Sequence, residues 1–520
     1  MSTDNTASMD IDITASVDMG PERLAGILIH PTSFPGPYGI GDLGREAYEF
    51  IDFMERSGMK LWQVLPLGHT GFGDSPYQPF SSFAGQPYII SVDHLRELGL
   101  LYDEDFYDMP QWNPEDIVYG DVIQFKTGLF KKAYERFLDP EIHDGFSSNE
   151  EMIKKYEDFR LNSSWLRDYA LFMAGKDLHN GAPWYMWEDD LKNPTQAQRR
   201  KWEEKLAKEI GYYEFLQFFF DIEWKSLKKY ANEKGIRIVG DIPIFVAWDS
   251  VDVWVHKKLF NLDTKGYPTV VAGVPPDYFS TTGQLWGNPL YKWPEHKKTG
   301  YEWWFARIKH QLELTDYLRI DHFRGFDEYW AVPYGEPTAV NGKWVKAPGE
   351  NFFTMLESTL GYHMPIIAED LGQIGHSVVA LRDKFGFPGM KILQFAFENP
   401  NENNFLPHNH VRNCVCYTGT HDNDTTLGWY KNCFEQSRDK LRRYFSTDAS
   451  DICWVMIRAC FGSVATMAIV PMQDVLELDS WARFNTPGVG EGNWSWRYKK
   501  EALTEHLSNR LYETAKMFDR

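Results

Sequence analysis

The stretch Tyr317-Leu-Arg319-Ile-Asp321-His-Phe-Arg-Gly325 decides the architecture that we predict for this chain. It is a short apolar run that ends in charged residues, and the two-residue period of a strand puts Arg319 and Asp321 on one face. Runs of the same kind recur along the chain, at 24–30, 59–65, 236–242, 365–369, 390–395, 415–418 and 466–470. Eight buried parallel strands, with amphipathic stretches between several of them, predict an α/β fold, a (β/α)8 TIM barrel.

The runs are unevenly spaced, which indicates inserted segments. Residues 100–210 are dense in charged and aromatic residues with helical periodicity, and we expect a helical insertion there. Residues 260–293 are rich in Gly, Pro and aromatic residues, as substrate-binding loops often are. A smaller insertion is expected at 334–351, where Asn341-Gly342 is a hairpin turn signal. Because 520 residues with 43% hydrophobic content can bury one large core, we expect a single catalytic barrel over 23–520.

Composition limits the compartment and the partners. The net charge of −20 argues against nucleic acid as a ligand. The five cysteines, all after residue 413, are odd in number and favour a reducing compartment. Residues 1–22 are small and acidic and lack Lys and Arg, unlike signal or transit peptides, so we expect a disordered tail. The apolar stretch 453–472 is interrupted by Arg458 and Pro471, so no membrane span is expected. We therefore expect a soluble cytoplasmic protein, with a mature plastid form left open.

Four acids are predicted to lie at strand ends: Asp241, Asp321, Glu369 and Asp422. Each alone has an ordinary structural explanation, such as a buried ion pair, a helix-start acid or a turn residue. Together they indicate a site, because the carboxyl ends of parallel strands meet at one end of a barrel, where barrel enzymes carry their chemistry. A guanidinium beside Asp321 favours its ionised form, whereas neighbouring carboxylates favour the protonated form of Glu369. Such a set is suited to cleaving glycosidic bonds.

A metal site is the rival chemistry. His408, His410, Cys414 and Cys416 are four potential ligands within nine residues, but the two cysteines open a strand, and zinc pairs usually have wider spacing with a loop between them. The chain has no Gly-rich phosphate loop, no Gly-x-Ser-x-Gly motif and no dinucleotide fingerprint. We expect neither a metal nor a cofactor, although composition leaves calcium or magnesium at the acidic cluster open.

Three strings carry a resemblance to a known family. Arg319-Ile-Asp321-His-Phe-Arg-Gly325, Ala368-Glu369-Asp370-Leu-Gly372 and Thr418-Gly-Thr-His421-Asp422-Asn-Asp-Thr425 resemble the signatures of the 4-α-glucanotransferases called amylomaltases or disproportionating enzymes, glycoside hydrolase family 77. Similar strings at 75–78, 83–85, 240–246, 273–291, 485–488 and 492–497 extend the resemblance over essentially residues 23–520.

The resemblance implies a retaining two-step mechanism on a barrel without the C-terminal β-sandwich of the related amylases. It implies that Asp321 is the nucleophile, that Glu369 is the acid and base, and that Asp422 steadies the transition state. The substrate-binding residues it implies are Ser75, Tyr77, Asp241, Gln284, Trp286, Asn288, Arg319, Asp370 and His421. The implied partners are α-1,4-glucans, namely maltooligosaccharides, amylose and starch or glycogen fragments, together with glucose.

The carboxylate trio does not distinguish attack by water from attack by a sugar hydroxyl. The aromatic stretch 278–291 is a candidate lid that would exclude water, although a loop pinned by its own aromatic residues would look the same. The preference for a transferase over an α-amylase-type hydrolase therefore rests mainly on the resemblance. A non-catalytic glucan-binding protein is the third possibility, and it would keep the aromatic surfaces but lose the acids.

Overall fold

The computed structural model describes residues 22–139, 147–276, 280–398 and 404–520. The tail predicted at 1–22 thus lies outside the described residues except for its last residue. A central sheet is built from all eight predicted runs. Its strands are β1 (Leu24–Leu28), β2 (Leu61–Gln63), β3 (Arg237–Pro243), β6 (Tyr317–Asp321), β9 (Ile366–Ala368), β10 (Gly389–Ile392), β11 (Cys414–Tyr417) and β12 (Met467–Pro471).

The eight strands form a barrel. They pair in parallel in the order β10-β11-β12-β1-β2-β3-β6-β9, so each strand lies beside its neighbours in the chain. The remaining seam is bridged where the Ala368 amide, at the end of β9, donates to the Pro388 carbonyl beside β10 at 2.9 Å. This cyclic order confirms the predicted (β/α)8 barrel.

Helices cover the outside of the barrel and fill the insertions. Short 3-10 turns aside, they are Arg45–Arg56, Val92–Glu97, Tyr119–Phe137, Ser147–Asn162, Leu166–Leu178, Asp189–Lys192, Gln196–Lys205, Ala207–Glu233, Val251–Val255, Trp293–Lys298, Glu302–Leu314, Gly349–Leu360, His376–Lys384, Phe395–Glu398, Thr426–Asn432, Glu435–Phe445, Ile452–Gly462, Met472–Val475 and Glu505–Met517. In the described part of the chain no strand follows β12.

The long connection from β2 to β3 contains the residues predicted as a helical insertion. Its helices pack on one another through aromatic rings, for example Phe137 against Phe215 with centroids 5.2 Å apart. The last of them, Ala207–Glu233, leads into β3 and buries Trp224, whose indole nitrogen donates to the Leu314 carbonyl at 2.8 Å. That helix therefore serves both the insertion and the barrel wall.

A second sheet joins the other two predicted insertions. The segment between β3 and β6 supplies β4 (Val270–Val274) and β5 (Gln284–Pro289), and the segment between β6 and β9 supplies β7 (Glu328–Pro333) and β8 (Lys343–Lys346). These strands pair antiparallel in the order β5-β4-β7-β8. The union of the two segments in one sheet was not predicted, because strand pairing across an intervening barrel strand leaves no local pattern.

The interior of the barrel becomes polar toward the carboxyl ends of its strands. The Tyr417 hydroxyl on β11 donates to the Gln63 side chain on β2 at 2.9 Å, and both residues are buried. In register, Asp241 of β3 lies opposite Arg319 of β6. Among the described residues, no helix has both the length and the apolar character needed to cross a membrane.

We predict that the close approach of β1 and β2 depends on Gly26. A Cβ added there would lie 2.3 Å from the Leu61 carbonyl oxygen and 2.5 Å from the Leu61 Cβ. Gly26→Ala should lower the free energy of unfolding by roughly 1–3 kcal/mol, because the strands must move apart. Urea denaturation followed by circular dichroism measures the change.

Gly128→Ala is the matched control. Gly128 lies inside helix Tyr119–Phe137 with open space around it, so alanine should raise the free energy of unfolding by about 0.5–1 kcal/mol. Equal effects of the two substitutions would contradict the proposed steric origin.

Candidate active site

A cleft of about 720 Å³ opens at the carboxyl ends of the barrel strands. Eight of the predicted site residues line it: Ser75, Tyr77, Gln284, Trp286, Asn288, Asp321, His421 and Asp422. A larger surface hollow of about 1210 Å³ lies beside residues 43–48, 91–107 and 222–226 and contains none of the predicted site residues. The smaller cleft is therefore the candidate active site.

Arg319 joins two of the four acids from beneath the cleft. Its side chain is only 3% exposed. One guanidinium nitrogen, Nη1, donates to both oxygens of Asp241, at 2.8 and 2.7 Å, and the other, Nη2, donates to Asp321 Oδ1 at 2.9 Å. The Asp321 carboxylate is 29% exposed, so it faces the cleft while the guanidinium supports it from below. Arg319 thus lies beside Asp321, as the two-residue period of the strand predicts.

Asp241 is a buried support for the wall of the cleft. Besides Arg319, it accepts a hydrogen bond from the Tyr77 hydroxyl at 2.8 Å. Burial raises the pKa of Asp241 to about 6, with the Arg319 charge acting in the opposite direction, so the carboxylate is still ionised at neutral pH. Asp241 therefore keeps both Arg319 and Tyr77 in place.

Glu369 follows the end of β9 and is held by two backbone amides. The His322 amide donates to Glu369 Oε2 at 2.7 Å, and the Leu371 amide donates to Oε1 at 2.8 Å. His322 has a left-handed backbone, φ 52°, which turns the chain directly after Asp321. Burial, together with the nearby charge of Asp321, raises the pKa of Glu369 to about 8, and these effects outweigh those of Arg319 and the Leu371 amide. Glu369 is thus protonated at neutral pH.

Asp422 lies beyond the end of β11 with the opposite electrostatic character. Burial by itself raises the pKa of Asp422, but the His421 ring, 3.4 Å from Oδ2, and the Asn485 amide, which donates to Oδ1 at 2.6 Å, together hold that pKa well below its usual range. Arg483 also donates to the Asp422 main-chain carbonyl at 2.5 Å. Because 46% of its side chain is exposed, the ionised carboxylate is accessible from the cleft.

Aromatic rings form the wall between these acids. Tyr77 and His421 stack with centroids 5.0 Å apart and an interplanar angle of 19°, and Trp494 packs 5.8 Å from Tyr77. The Tyr77 amide donates to Ser75 Oγ at 3.2 Å, which fixes the turn that carries Tyr77. The wall is therefore ordered by its own contacts.

Strand β5 supplies the facing wall. Gln284, Trp286 and Asn288 alternate along the strand, so they share one face. The Trp286 ring meets His322 edge to face, with centroids 4.8 Å apart, and its indole nitrogen donates to Gln284 Oε1 at 3.1 Å. Asn288 donates to the Val246 carbonyl at 2.9 Å. The other part of the predicted lid, Tyr278, lies outside the described residues.

Asp370 does not join the cleft. Its Oδ2 forms an ion pair with Arg382, and its Oδ1 accepts a hydrogen bond from the Met390 amide at 2.8 Å. These partners belong to helix His376–Lys384 and to β10. Asp370 therefore fastens the seam of the barrel behind Glu369.

The residues of the rival metal site have other partners. His408 Nδ1 lies 2.8 Å from the Tyr444 hydroxyl, and His410 Nε2 lies 2.8 Å from the Phe405 carbonyl oxygen. Cys414 and Cys416 are buried in β11. Over the ranges that the structure describes, no group of three or more His, Cys, Asp and Glu residues is arranged to hold a metal ion.

Sequence reasoning did not assign roles to Arg483, Asn485, Trp494 and the His322 amide. Asn485 and Trp494 fall in strings that resemble the family, whereas Arg483 lies outside them, and no local pattern shows that this segment folds back over Asp422. His322 stands beside Asp321 in the most informative motif, and its left-handed conformation was the missing information. The residue after a strand-end acid can thus support the next acid along the barrel through its backbone amide, whatever its side chain.

The fold and the cleft define a class: a (β/α)8-barrel enzyme with its polar site at the carboxyl ends of the strands. The model of a family described as 4-alpha-glucanotransferase, glycoside hydrolase family 77, matches residues 29–504. The chain therefore belongs to the 4-alpha-glucanotransferase family.

Similar proteins agree with this assignment. A 4-alpha-glucanotransferase of Synechocystis is 46% identical over 505 residues, covering 96% of this chain and 98% of that protein. One from Thermus thermophilus is 46% identical over 510 residues, covering 96% and 99%. The solved structure of an amylomaltase from Streptococcus agalactiae in complex with acarbose superposes with a TM-score of 0.91, at 38% identity, and the match covers 96% of this chain and 100% of that one.

We predict that Arg319 is needed mainly to neutralise Asp241. Arg319→Gln should lower the free energy of unfolding by about 3–5 kcal/mol, because it leaves a buried carboxylate without its partner. Asp241→Asn in the same chain should restore part of that loss. Equilibrium denaturation of the two single variants and the double variant, read as a double-mutant cycle, measures the coupling.

The surface pair Arg45–Glu49 serves as the control, because Arg45 is 76% exposed. Arg45→Gln should change the free energy of unfolding by less than about 1 kcal/mol. Strictly additive effects of Arg319→Gln and Asp241→Asn would contradict the coupling.

Proposed function

We propose that this chain transfers α-1,4-glucan segments by double displacement, with Asp321 as nucleophile, Glu369 as acid and base, and Asp422 as the residue that steadies the sugar. The observation that carries the proposal is the contrast between two neighbouring carboxyl groups. Asp321 accepts a hydrogen bond from the Arg319 guanidinium, whereas burial and Asp321 raise the pKa of Glu369 to about 8. Membership of the 4-alpha-glucanotransferase family supports the same assignment.

In the first step a carboxylate oxygen of Asp321 attacks the anomeric carbon of the donor glucan. Because Oδ1 accepts the hydrogen bond from Arg319, we propose that Oδ2 is the attacking oxygen. The bond from the anomeric carbon to the glycosidic oxygen breaks, and that oxygen takes the proton of Glu369 as the shorter glucan leaves. A covalent glycosyl ester on Asp321 and an ionised Glu369 remain.

In the second step an acceptor replaces the departed glucan. Glu369, now ionised, takes the proton of the acceptor 4-hydroxyl, and the oxygen of that hydroxyl attacks the anomeric carbon. The ester bond to Asp321 breaks, so the configuration is retained and Glu369 is protonated again. The pKa of about 8 suits both roles, since a group near neutrality both donates and accepts a proton readily.

The remaining cleft residues bind the glucan. We propose that Asp422, ionised and partly exposed, accepts hydrogen bonds from sugar hydroxyls. The stacked rings of Tyr77 and His421 pack against the same sugar. Arg319 and Asp241 position these groups from below. Ser75, Gln284, Trp286 and Asn288 contribute the rest of the lining. Asp370 is left out of this set, because Arg382 and the Met390 amide already engage its carboxylate.

The proposed donors are maltooligosaccharides, amylose and fragments of starch or glycogen, and the proposed acceptors are glucose and the same glucans. An apolar ring beside Glu369 favours transfer, because it makes room for a sugar and displaces water. Trp286 packs on His322, whose amide donates to Glu369, and we propose that the Trp286 ring has this role. A hydrolase would instead use water as the acceptor.

We propose one catalytic unit over residues 23–520, with the insertions at about 100–210, 260–293 and 334–351 shaping the cleft. The cytoplasm is the proposed compartment, on the basis of the odd number of cysteines. The net charge of −20 is consistent with neutral glucans and with the absence of a nucleic-acid role.

Maltotriose distinguishes transfer from hydrolysis. We expect the protein to release glucose and longer glucans while the total number of reducing ends stays constant, since each bond broken is replaced by a new one. Asp321→Asn should abolish glucose release. Chromatography of the products together with a reducing-end assay measures both quantities.

Asp103→Asn is the matched control, because the Asp103 side chain is 88% exposed and lies outside the cleft. It should release glucose as fast as the unaltered chain. A rise in reducing ends equal to the glucose released would identify a hydrolase, and undiminished turnover by Asp321→Asn would refute the nucleophile.

The pH profile tests Glu369. Because its pKa is raised to about 8, the group keeps its proton below that pH and loses it above. The value of kcat/KM for maltotriose should therefore fall above about pH 8, approaching tenfold per pH unit. Initial rates from about pH 6 to about pH 9.5 measure the limb, and circular dichroism at each pH controls for unfolding. A profile that stays flat through about pH 9 would contradict the acid role.

A further inference from the structure

Two aromatic rings stack face to face at one end of the cleft. Tyr185 and Trp248 have ring centroids 3.8 Å apart and an interplanar angle of 11°. Both side chains are half-buried, and both line the cleft that also contains Asp321 and Asp422. The proposed mechanism uses neither ring.

Two more rings complete this group, which we call the aromatic platform: Tyr185, Trp248, Tyr267 and Tyr334. Tyr267 lies 5.4 Å and Tyr334 lies 5.6 Å from the Trp248 ring, both edge to face. The four residues come from separate segments, namely the β2–β3 connection, the turn after β3, the segment before β4 and the end of β7. Three insertions thus converge on one surface.

Hydrogen bonds from within the protein fix the platform. The Trp248 indole nitrogen donates to the Gly266 carbonyl at 3.1 Å, and the Trp184 indole nitrogen donates to the Trp248 carbonyl at 2.8 Å. The adjacent Asp249 forms an ion pair with the buried Lys176 at 2.5 Å. A surface whose rings are already oriented loses little conformational freedom when it binds.

The platform also presents groups that a sugar can use. The Tyr334 side chain is 47% exposed. Within the described residues, the Tyr185 hydroxyl has no hydrogen-bonding partner. Flat rings pack against the C–H faces of a pyranose, while a neighbouring hydroxyl bonds to the sugar's own hydroxyl groups.

The platform is separate from the reacting atoms. Among the described residues, no hydrogen bond or ring contact joins its four members to Asp321, Glu369 or Asp422. Phe245, Ala247 and Asn288 also line this cleft. A glucan that occupies the reacting position therefore needs additional units to reach the platform.

We infer that the aromatic platform is a distal subsite that binds a glucosyl unit of a long α-1,4-glucan, away from the bond that is cleaved. This inference rests on the proposed glucanotransferase function and adds a determinant of chain-length preference. The occupant is a continuation of the same glucan, because Tyr185 and Trp248 of the platform line the same cleft as Asp321 and Asp422.

Substrates of different length test the inference. In Tyr185→Ala and Trp248→Ala, the ratio of kcat/KM for maltoheptaose to kcat/KM for maltotriose, with glucose as the acceptor, should fall roughly three- to tenfold. Tyr185→Phe should keep most of the ratio, because it retains the ring. Tyr107→Ala, at a tyrosine that is 84% exposed outside the cleft, should keep the ratio of the unaltered chain.

A second series distinguishes the two sides of the cleft. With a fixed donor, acceptors from glucose to maltotetraose are compared, and a length-dependent loss in this series alone puts the subsite on the acceptor side.

An unchanged ratio in both series, with folded variants, would overturn the inference while the proposed function stands. If both alanine variants fail to fold, calorimetric titration of Asp321→Asn with maltoheptaose and with maltotriose decides the matter. Equal affinities for the two glucans would then refute the subsite. If the unaltered chain does not convert maltotriose, the proposed function itself fails.

Discussion

The site depends on the hydrogen bonds from the buried guanidinium of Arg319 to Asp241 and Asp321. Placing Asp241 inside a barrel costs solvation free energy, and two hydrogen bonds from one guanidinium nitrogen offset that cost. The same guanidinium holds Asp321 at the mouth of the cleft, and Asp241 in turn holds Tyr77. The positions of Asp321, the proposed nucleophile, and of the aromatic wall are thus both set by the register in which β3 pairs with β6.

Two carboxyl groups with the same chemistry differ because their surroundings differ. Asp422 is stabilised as an anion by His421 and Asn485, whereas Glu369 is half-buried close to another negative charge. Hydrogen bonds from the His322 and Leu371 amides orient Glu369 without ionising it at neutral pH. A barrel supplies this contrast readily, because each strand end meets a different set of loops.

The barrel and its acids were predictable because their signals are local. All eight strands are apolar runs. Asp321 ends its strand and Glu369 directly follows one, whereas Asp241 lies two residues before the end of β3. Contacts between distant segments leave no such signal. The pairing of β4 with β7, the amide of Asn485 on Asp422 and the ion pair of Asp370 with Arg382 are all of this kind. The sequence motif around Glu369 is the same whether the Asp370 side chain faces a sugar or a helix. The partner of that side chain depends on the fold.

The four-stranded sheet has a consequence for how such enzymes diversify. Its strands come from the insertions before and after β6, and they hydrogen-bond to each other through β4 and β7. Neither insertion is therefore an independent module. A chimera that takes one insertion from a relative and keeps the other would have to rebuild the β4–β7 seam. We therefore expect the two insertions to be inherited, lengthened and exchanged together, along with β6, the strand that carries Asp321.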